Sequence, residues 1–157
     1  MACADTLAAG LVEKAQLQGV PCHSEYPEPV ATERETVDAP AAPAAVGPYS
    51  HAVSTGELLF CSGQIPLDPG SGELVGETPA EQARRCMQNL EAVCDAAGTS
   101  LQRALRLTIY TTRLSAFAEI NEVYGSFFSA QPPARAAVGV AELPKGALVE
   151  IDAIVAL

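Results

Sequence analysis

Tryptophan is absent, and histidine occurs only at His23 and His51. With so few imidazoles, a zinc site of ordinary ligand spacing is not expected. Five cysteines are present, Cys3, Cys22, Cys61, Cys86 and Cys94, an odd number with no C-x-x-C pair. They read as reduced, mostly buried thiols of a cytosolic protein. No apolar run reaches the length of a membrane span, and no stretch has the form of a secretory leader. Basic residues are scarce, 9 Lys and Arg against 19 Asp and Glu, for a net charge of −10. That balance argues against wrapping a nucleic-acid backbone, where cations must neutralise phosphates, and against an anionic membrane surface. It leaves room for one cation to capture a small anion. The phosphate-cradling patterns G-x-x-x-x-G-K-S/T and G-x-G-x-x-G do not occur, nor does G-x-S-x-G.

What remains is a chain of 157 residues, 48% hydrophobic and 18% charged, enough for one domain with one sizeable core. Residues 1–43 differ from the rest. They hold Pro21, Pro27, Pro29, Pro40 and Pro43 and read as an N-terminal arm: a short helix over 6–18, then a Pro-rich linker. The compact domain is expected over 44–157.

Within it, Gly47-Pro48-Tyr49 is a turn or an extended lead-in. Strands are expected over 50–53 and 58–62, with a loop at Asp68-Pro69-Gly70-Ser71-Gly72. Thr78, Pro79 and Glu81 form a capping box with proline at the first helical position. Ala83, Met87, Leu90, Cys94 and Ala97 give this helix an apolar face, and Gly98 stops it. Leu105, Leu107 and Ile109 alternate with Arg106, Thr108 and Tyr110 as a half-buried strand. Ser115 is expected to cap a second helix whose core face is Phe117, Ile120, Tyr124 and Phe127 or Phe128. Pro132-Pro133 end it. Two apolar runs then flank Leu143-Pro144-Lys145-Gly146, and the simplest reading is a hairpin. The sum is an α+β fold with two helices on one face of a mixed sheet.

The last two strands carry the residues that need explaining. Arg135 shares its face with small side chains, while Glu150 and Asp152 lie opposite Val149, Ile151, Ala153 and Val155. A buried charge is costly unless paired. One reading is a structural ion pair, or two edge residues in water. The other is a site in which Arg135 clamps a carboxylate through two parallel hydrogen bonds and Glu150 handles protons. A tight turn at Pro144-Lys145 would set Glu150 opposite Gly139, roughly 14 Å along the strand from Arg135. A small molecule, or another subunit, would then have to fill the gap. Tyr49 is either core packing or a phenol aimed into a pocket, and Asn121 either a solvated helix residue or a site residue. His51 reads as a surface residue, Cys61 as an inert buried thiol, and Arg84 and Arg85 as exposed helix charges.

Taken together, the segments GPYSHAV, CSGQIPLDPGSGELVG, EQARRCMQNLEAVCDAAG, NEVYGSFF and PPARAAVGVAELPKGALVEIDAIVAL resemble the reactive intermediate/imine deaminase (Rid, YjgF-type) family over roughly residues 41–157. The resemblance implies a chorismate-mutase-like fold, a homotrimer with clefts between subunits, and no cofactor or metal. It implies hydrolysis of 2-imino acids, or their enamine tautomers, to 2-oxo acids and ammonia. By position, Arg135 matches the carboxylate-binding Arg and Glu150 the acid that works on the attacking water. Tyr49 matches a cleft Tyr from the neighbouring chain. Ser62, Gly63 and Gln64 match the strand end near the imine nitrogen, and Asn121 a helix Asn near the cleft. Ala137 stands where many members carry Cys, a change expected to alter pocket shape more than chemistry. The expected partner is a small imino or oxo acid, with no nucleic acid and no membrane. The alternative is a non-catalytic trimer that binds small carboxylates such as 2-oxo acids. An endoribonuclease fits poorly with the acidic charge.

Overall fold

A computed structural model describes residues 33–157, which form one compact unit. The helix expected over 6–18 lies outside the described residues. The elements are β1 (Arg34–Val37), β2 (Ala52–Thr55), β3 (Leu58–Gln64), α1 (Pro79–Ala96), β4 (Ala104–Thr111), α2 (Phe117–Ser126), β5 (Ala134–Gly139) and β6 (Val149–Ala156). They make a six-stranded sheet in the order β1-β2-β3-β6-β4-β5, antiparallel except for the β4–β5 pair. This is the α+β class expected from the sequence.

The local signals for α1 hold at both ends. Thr78 Oγ1 accepts from the Glu81 N–H, the Glu81 carboxylate accepts from the Thr78 N–H, and Pro79 occupies the first turn. Gly98 follows the helix at φ +75°, a conformation glycine adopts without a Cβ penalty. Ala83, Cys86, Met87, Leu90, Val93 and Cys94 are buried in one core with Leu59, Leu107, Ile109, Val149, Ile151 and Val155. Burying Met87 or Leu90 fully is worth roughly 1.5–3 kcal/mol each. The helix α2 adds Ile120, Val123 and Tyr124 to the same core.

Several expectations fail. The composition assigns Arg34–Val37 to the arm, yet β1 pairs with β2 at the sheet edge, and Ala39 and Ala42 are buried. Ser115 does not cap α2. The cap position is Ala116, without a side-chain hydrogen bond, because a 3-10 turn over Leu114–Ala116 precedes the helix. The hairpin is also wrong. The turn at Pro144–Gly146 exists, with Lys145 at φ 57°, but the strands on either side of it are not paired. Between them lies β4, parallel to β5 and antiparallel to β6. The link from β4 through α2 to β5 is the helical crossover that parallel neighbours require. Strand β6 takes the centre because alternate residues, Val149, Ile151, Ala153 and Val155, are buried. The small residues of β5 take the edge.

Candidate functional site

This topology decides where the two charged residues go. Arg135 pairs with Leu107, which pairs with Ala153, and both of these are buried beneath the helices. Arg135 is therefore on the helix face of the sheet. Glu150 pairs with Tyr110 on the opposite face. Three residues along and two strands across put their backbones roughly 14 Å apart. One chain therefore holds two separate groups of candidate residues rather than one.

The first group is built on α2 and β5. Arg135 Nη1 donates to Asn121 Oδ1 at 2.7 Å, and its Cζ lies 5.1 Å from the Phe117 ring centroid and 4.7 Å from that of Tyr124. Among the described residues no carboxylate lies within ion-pair distance of it, the one such contact there being between Asp38 and the His51 ring. The structural ion pair considered from sequence is thus not formed with Glu150. Ala137, two residues on, shares the face of Arg135 and is exposed.

The second group surrounds a cleft of about 340 Å³ lined by Val46, Tyr49, Ser62, Gly63, Ile65, Pro144, Lys145 and Glu150. The β3–β6 register breaks between Cys61 and Gln64. Such a bulge re-aims the strand end. The Ser62 N–H turns to the His51 carbonyl at 3.0 Å, and its hydroxyl donates to the Ser50 carbonyl at 2.7 Å. Gly63 then faces the Glu150 carboxyl directly. Partial burial raises the pKa of Glu150 above the ordinary carboxylate value, and neighbouring Asp152 adds to the rise. Tyr49 is 47% exposed, not core, and its hydroxyl accepts from the Val46 N–H at 3.1 Å. Lys145 bridges the cleft mouth to the 68–72 loop through a 2.9 Å bond from Nζ to the Gly72 carbonyl.

Gln64 does not line this cleft. It is buried, with its NH2 turned back to the Ser62 carbonyl. His51 is buried rather than superficial. Its Nδ1 accepts from the Ala39 N–H at 3.2 Å and Nε2 lies 2.9 Å from the Pro43 carbonyl, so both nitrogens anchor backbone. A wider, open recess of about 450 Å³ beside it offers no other site group expected from sequence except Tyr49. Cys61 is buried, and hydrogen bonding with Cys94, together with burial, pushes its thiol far above the ordinary range. Among the described residues no cluster of three or more His, Cys, Asp or Glu is placed to hold a metal, and no helix is long and apolar enough to cross a membrane. Sequence reasoning missed Phe117 and Tyr124 as neighbours of Arg135. Their i, i+7 spacing, with Asn121 between, was the available signal, and it reads equally as a core stripe.

The six-stranded mixed sheet with two helices is of the α+β class, with a guanidinium on one face and a raised-pKa glutamate on the other. The pattern of the Endoribonuclease L-PSP family matches residues 39–157, and the chain belongs to that family, the YjgF/RidA/RutC group. The RutC family protein y4sK of Sinorhizobium fredii is 52% identical over 116 residues, 74% of this chain and 92% of that protein. The human 2-iminobutanoate/2-iminopropanoate deaminase is 39% identical over 121 residues, 77% of this chain and 88% of that one. The crystal structure of RidA from the Antarctic bacterium Psychrobacter sp. PAMC 21119 superposes with a TM-score of 0.76 at 45% identity, covering 78% of this chain and 99% of that chain.

Proposed function

We propose that the protein hydrolyses 2-imino acids, or their enamine tautomers, to 2-oxo acids and ammonia, in a site shared between copies of the chain in a homotrimer. The observation that carries this reading is the division of the two groups. Arg135 is held by Asn121 and two rings, with no carboxylate among the described residues beside it, and Glu150 stands in a separate cleft on the other face, whose lining cation, Lys145, is turned to the Gly72 carbonyl. A second copy brings the Arg135 group of one chain against the Glu150 cleft of the next. The mammalian relatives named as imine deaminases support the same activity.

In the proposed reaction Arg135 binds the carboxylate in-plane and orients the imine carbon toward water. The Glu150 carboxylate takes a proton from that water as its oxygen bonds to the carbon and the C=N π bond opens. Glu150 returns that proton to nitrogen, which gives the carbinolamine. The same carboxylate then takes the carbinolamine hydroxyl proton and passes it to nitrogen as the carbonyl forms and the C–N bond breaks, releasing ammonia and leaving Glu150 ionised as at the start. Tyr49 and the Ser62–Gly63 backbone border the amine end, while Asn121 and Ala137 flank the carboxylate end. Glu150 distinguishes this from simple 2-oxo acid binding, which needs no proton carrier. The ribonuclease in the family's description fits poorly with a net charge of −10. The decisive experiment generates 2-iminopropanoate in situ and follows ammonia release. Turnover that disappears in Arg135→Ala is expected. Normal turnover in a folded Arg135→Ala protein overturns the proposal.

A further inference from the structure

We infer that Phe117 and Tyr124 are positioning residues for Arg135: their two rings on α2 hold the guanidinium where it meets a substrate carboxylate, and Tyr124 does so through its ring alone. The inference rests on the carboxylate-clamp reading of Arg135 and deepens it. Positions 117, 121 and 124 fall on one face of a helix, and two turns separate the outer pair by about 10 Å. The Arg135 Cζ lies 5.1 Å from one ring centroid and 4.7 Å from the other, so the cation sits between them, within the range of cation–π attraction. Asn121 Oδ1 takes a single N–H at 2.7 Å. A guanidinium has five N–H groups, and the others remain for a ligand.

Arg135 starts from an exposed edge strand, where a free side chain samples many rotamers. Rings and amide together fix one of them without a carboxylate, which would otherwise occupy the binding edge. The Tyr124 hydroxyl supplies the second observation. It is buried and has no hydrogen-bond partner, and it is the only such side-chain polar atom among the described residues. A group left so carries a cost that phenylalanine would avoid. The hydroxyl makes no hydrogen bond to Arg135, whereas the ring both packs in the core and faces the cation.

The test compares Tyr124→Phe, Tyr124→Leu and Phe117→Leu in the full chain. Two readouts are used: the Arg135 Nε–H signal in nitrogen-edited NMR, and titration with 2-oxobutanoate alongside KM and kcat for the imino acid. Tyr124→Phe is expected to keep the ring-shifted Arg135 signal and wild-type affinity. Tyr124→Leu is expected to lose the shift and to weaken binding about tenfold, with KM rising more than kcat falls. Phe117→Leu should do the same from a half-buried position, which keeps the test alive if Tyr124→Leu does not fold. An unchanged Arg135 signal and unchanged affinity in the Leu variants overturn the inference, as does a Tyr124→Phe protein as impaired as Tyr124→Leu. If the wild-type chain neither binds the oxo acid nor turns over the imine, the deaminase reading fails, while the NMR comparison still decides whether the rings hold Arg135.

Discussion

Gly63 and Glu150 fit together only because Gly63 has no side chain. A β-carbon at Gly63 would stand 2.9 Å from the Glu150 carboxyl carbon and closer still to one of its oxygens. The obstructed atoms are the far end of a flexible side chain, so Gly63→Ala is relieved by turning the carboxylate away. The expected stability loss is small, under about 1 kcal/mol. The functional loss should be large, because a displaced proton carrier forfeits most of a contribution on the order of a hundredfold or more. Thermal unfolding and single-turnover kinetics on the same preparation check both halves. A variant with near-normal turnover would mean that Glu150 works from another rotamer.

Glu150→Gln separates stability from activity. The folded-state pKa of Glu150 is raised by burial and by Asp152. A group raised in this way favours the folded state fully below its unfolded pKa, and that contribution disappears as pH rises through the folded pKa. At neutral pH the ionised carboxylate therefore opposes folding relative to a neutral amide. Glu150→Gln should unfold at a higher temperature than wild type at pH 7, and the advantage should shrink as pH falls through the range where wild-type Glu150 becomes protonated. Turnover should be lost throughout. In the wild-type protein, turnover should decline as pH drops below the raised Glu150 value, since the proton acceptor is then filled. Melting curves and pH–rate profiles measured together test this.

The parts of the fold set by neighbours in sequence were legible, and those set by distant pairing were not. Thr78, Pro79, Glu81 and Gly98 define α1 within its own span. By contrast, nothing within Pro144–Gly146 reveals that the chain returns to the far side of β4. The compositions did hold a hint: Val149, Ile151 and Val155 ask for a central strand, while Ala134, Ala136 and Ala137 fill an edge. The mistaken hairpin also hid the main fact about the candidate site, that Arg135 and Glu150 face opposite ways. Their importance came from residue type and family resemblance. The Arg135–Asn121 contact spans a crossover and has no sequence signature beyond helical spacing. His51 misled because a histidine near a turn looks solvated, whereas two backbone groups, one at each end of a five-residue segment, bury it.

Gly125 offers a stabilising change that leaves every candidate residue in place. It is exposed, within α2, and a β-carbon there meets nothing within 4 Å. Its φ is not in the left-handed region, so alanine adopts the same backbone. Gly125→Ala should stabilise the fold by about 0.5–1 kcal/mol through helix propensity. Urea unfolding should show a higher midpoint with an unchanged slope. A decrease would mean that another chain packs against this position in the assembly.

The opposed faces of Arg135 and Glu150 make a prediction about mixtures that no single-chain site shares. Arg135→Ala alone lacks every clamp, and Glu150→Gln alone lacks every proton carrier, so each pure protein should be inactive. When the two are unfolded together and refolded, some interfaces join the intact Arg135 of one chain to the intact Glu150 of its neighbour. With one orientation per interface in a closed ring and random assembly, about a quarter of the sites are whole. Ammonia release should recover to about that fraction of wild type per site, and only after subunits have exchanged. If both residues instead served one site within a chain, each subunit would carry one defect and no mixture would recover. Recovery after co-refolding, set against none on simple mixing below the exchange temperature, therefore distinguishes a shared site from a private one and measures subunit exchange in the same experiment.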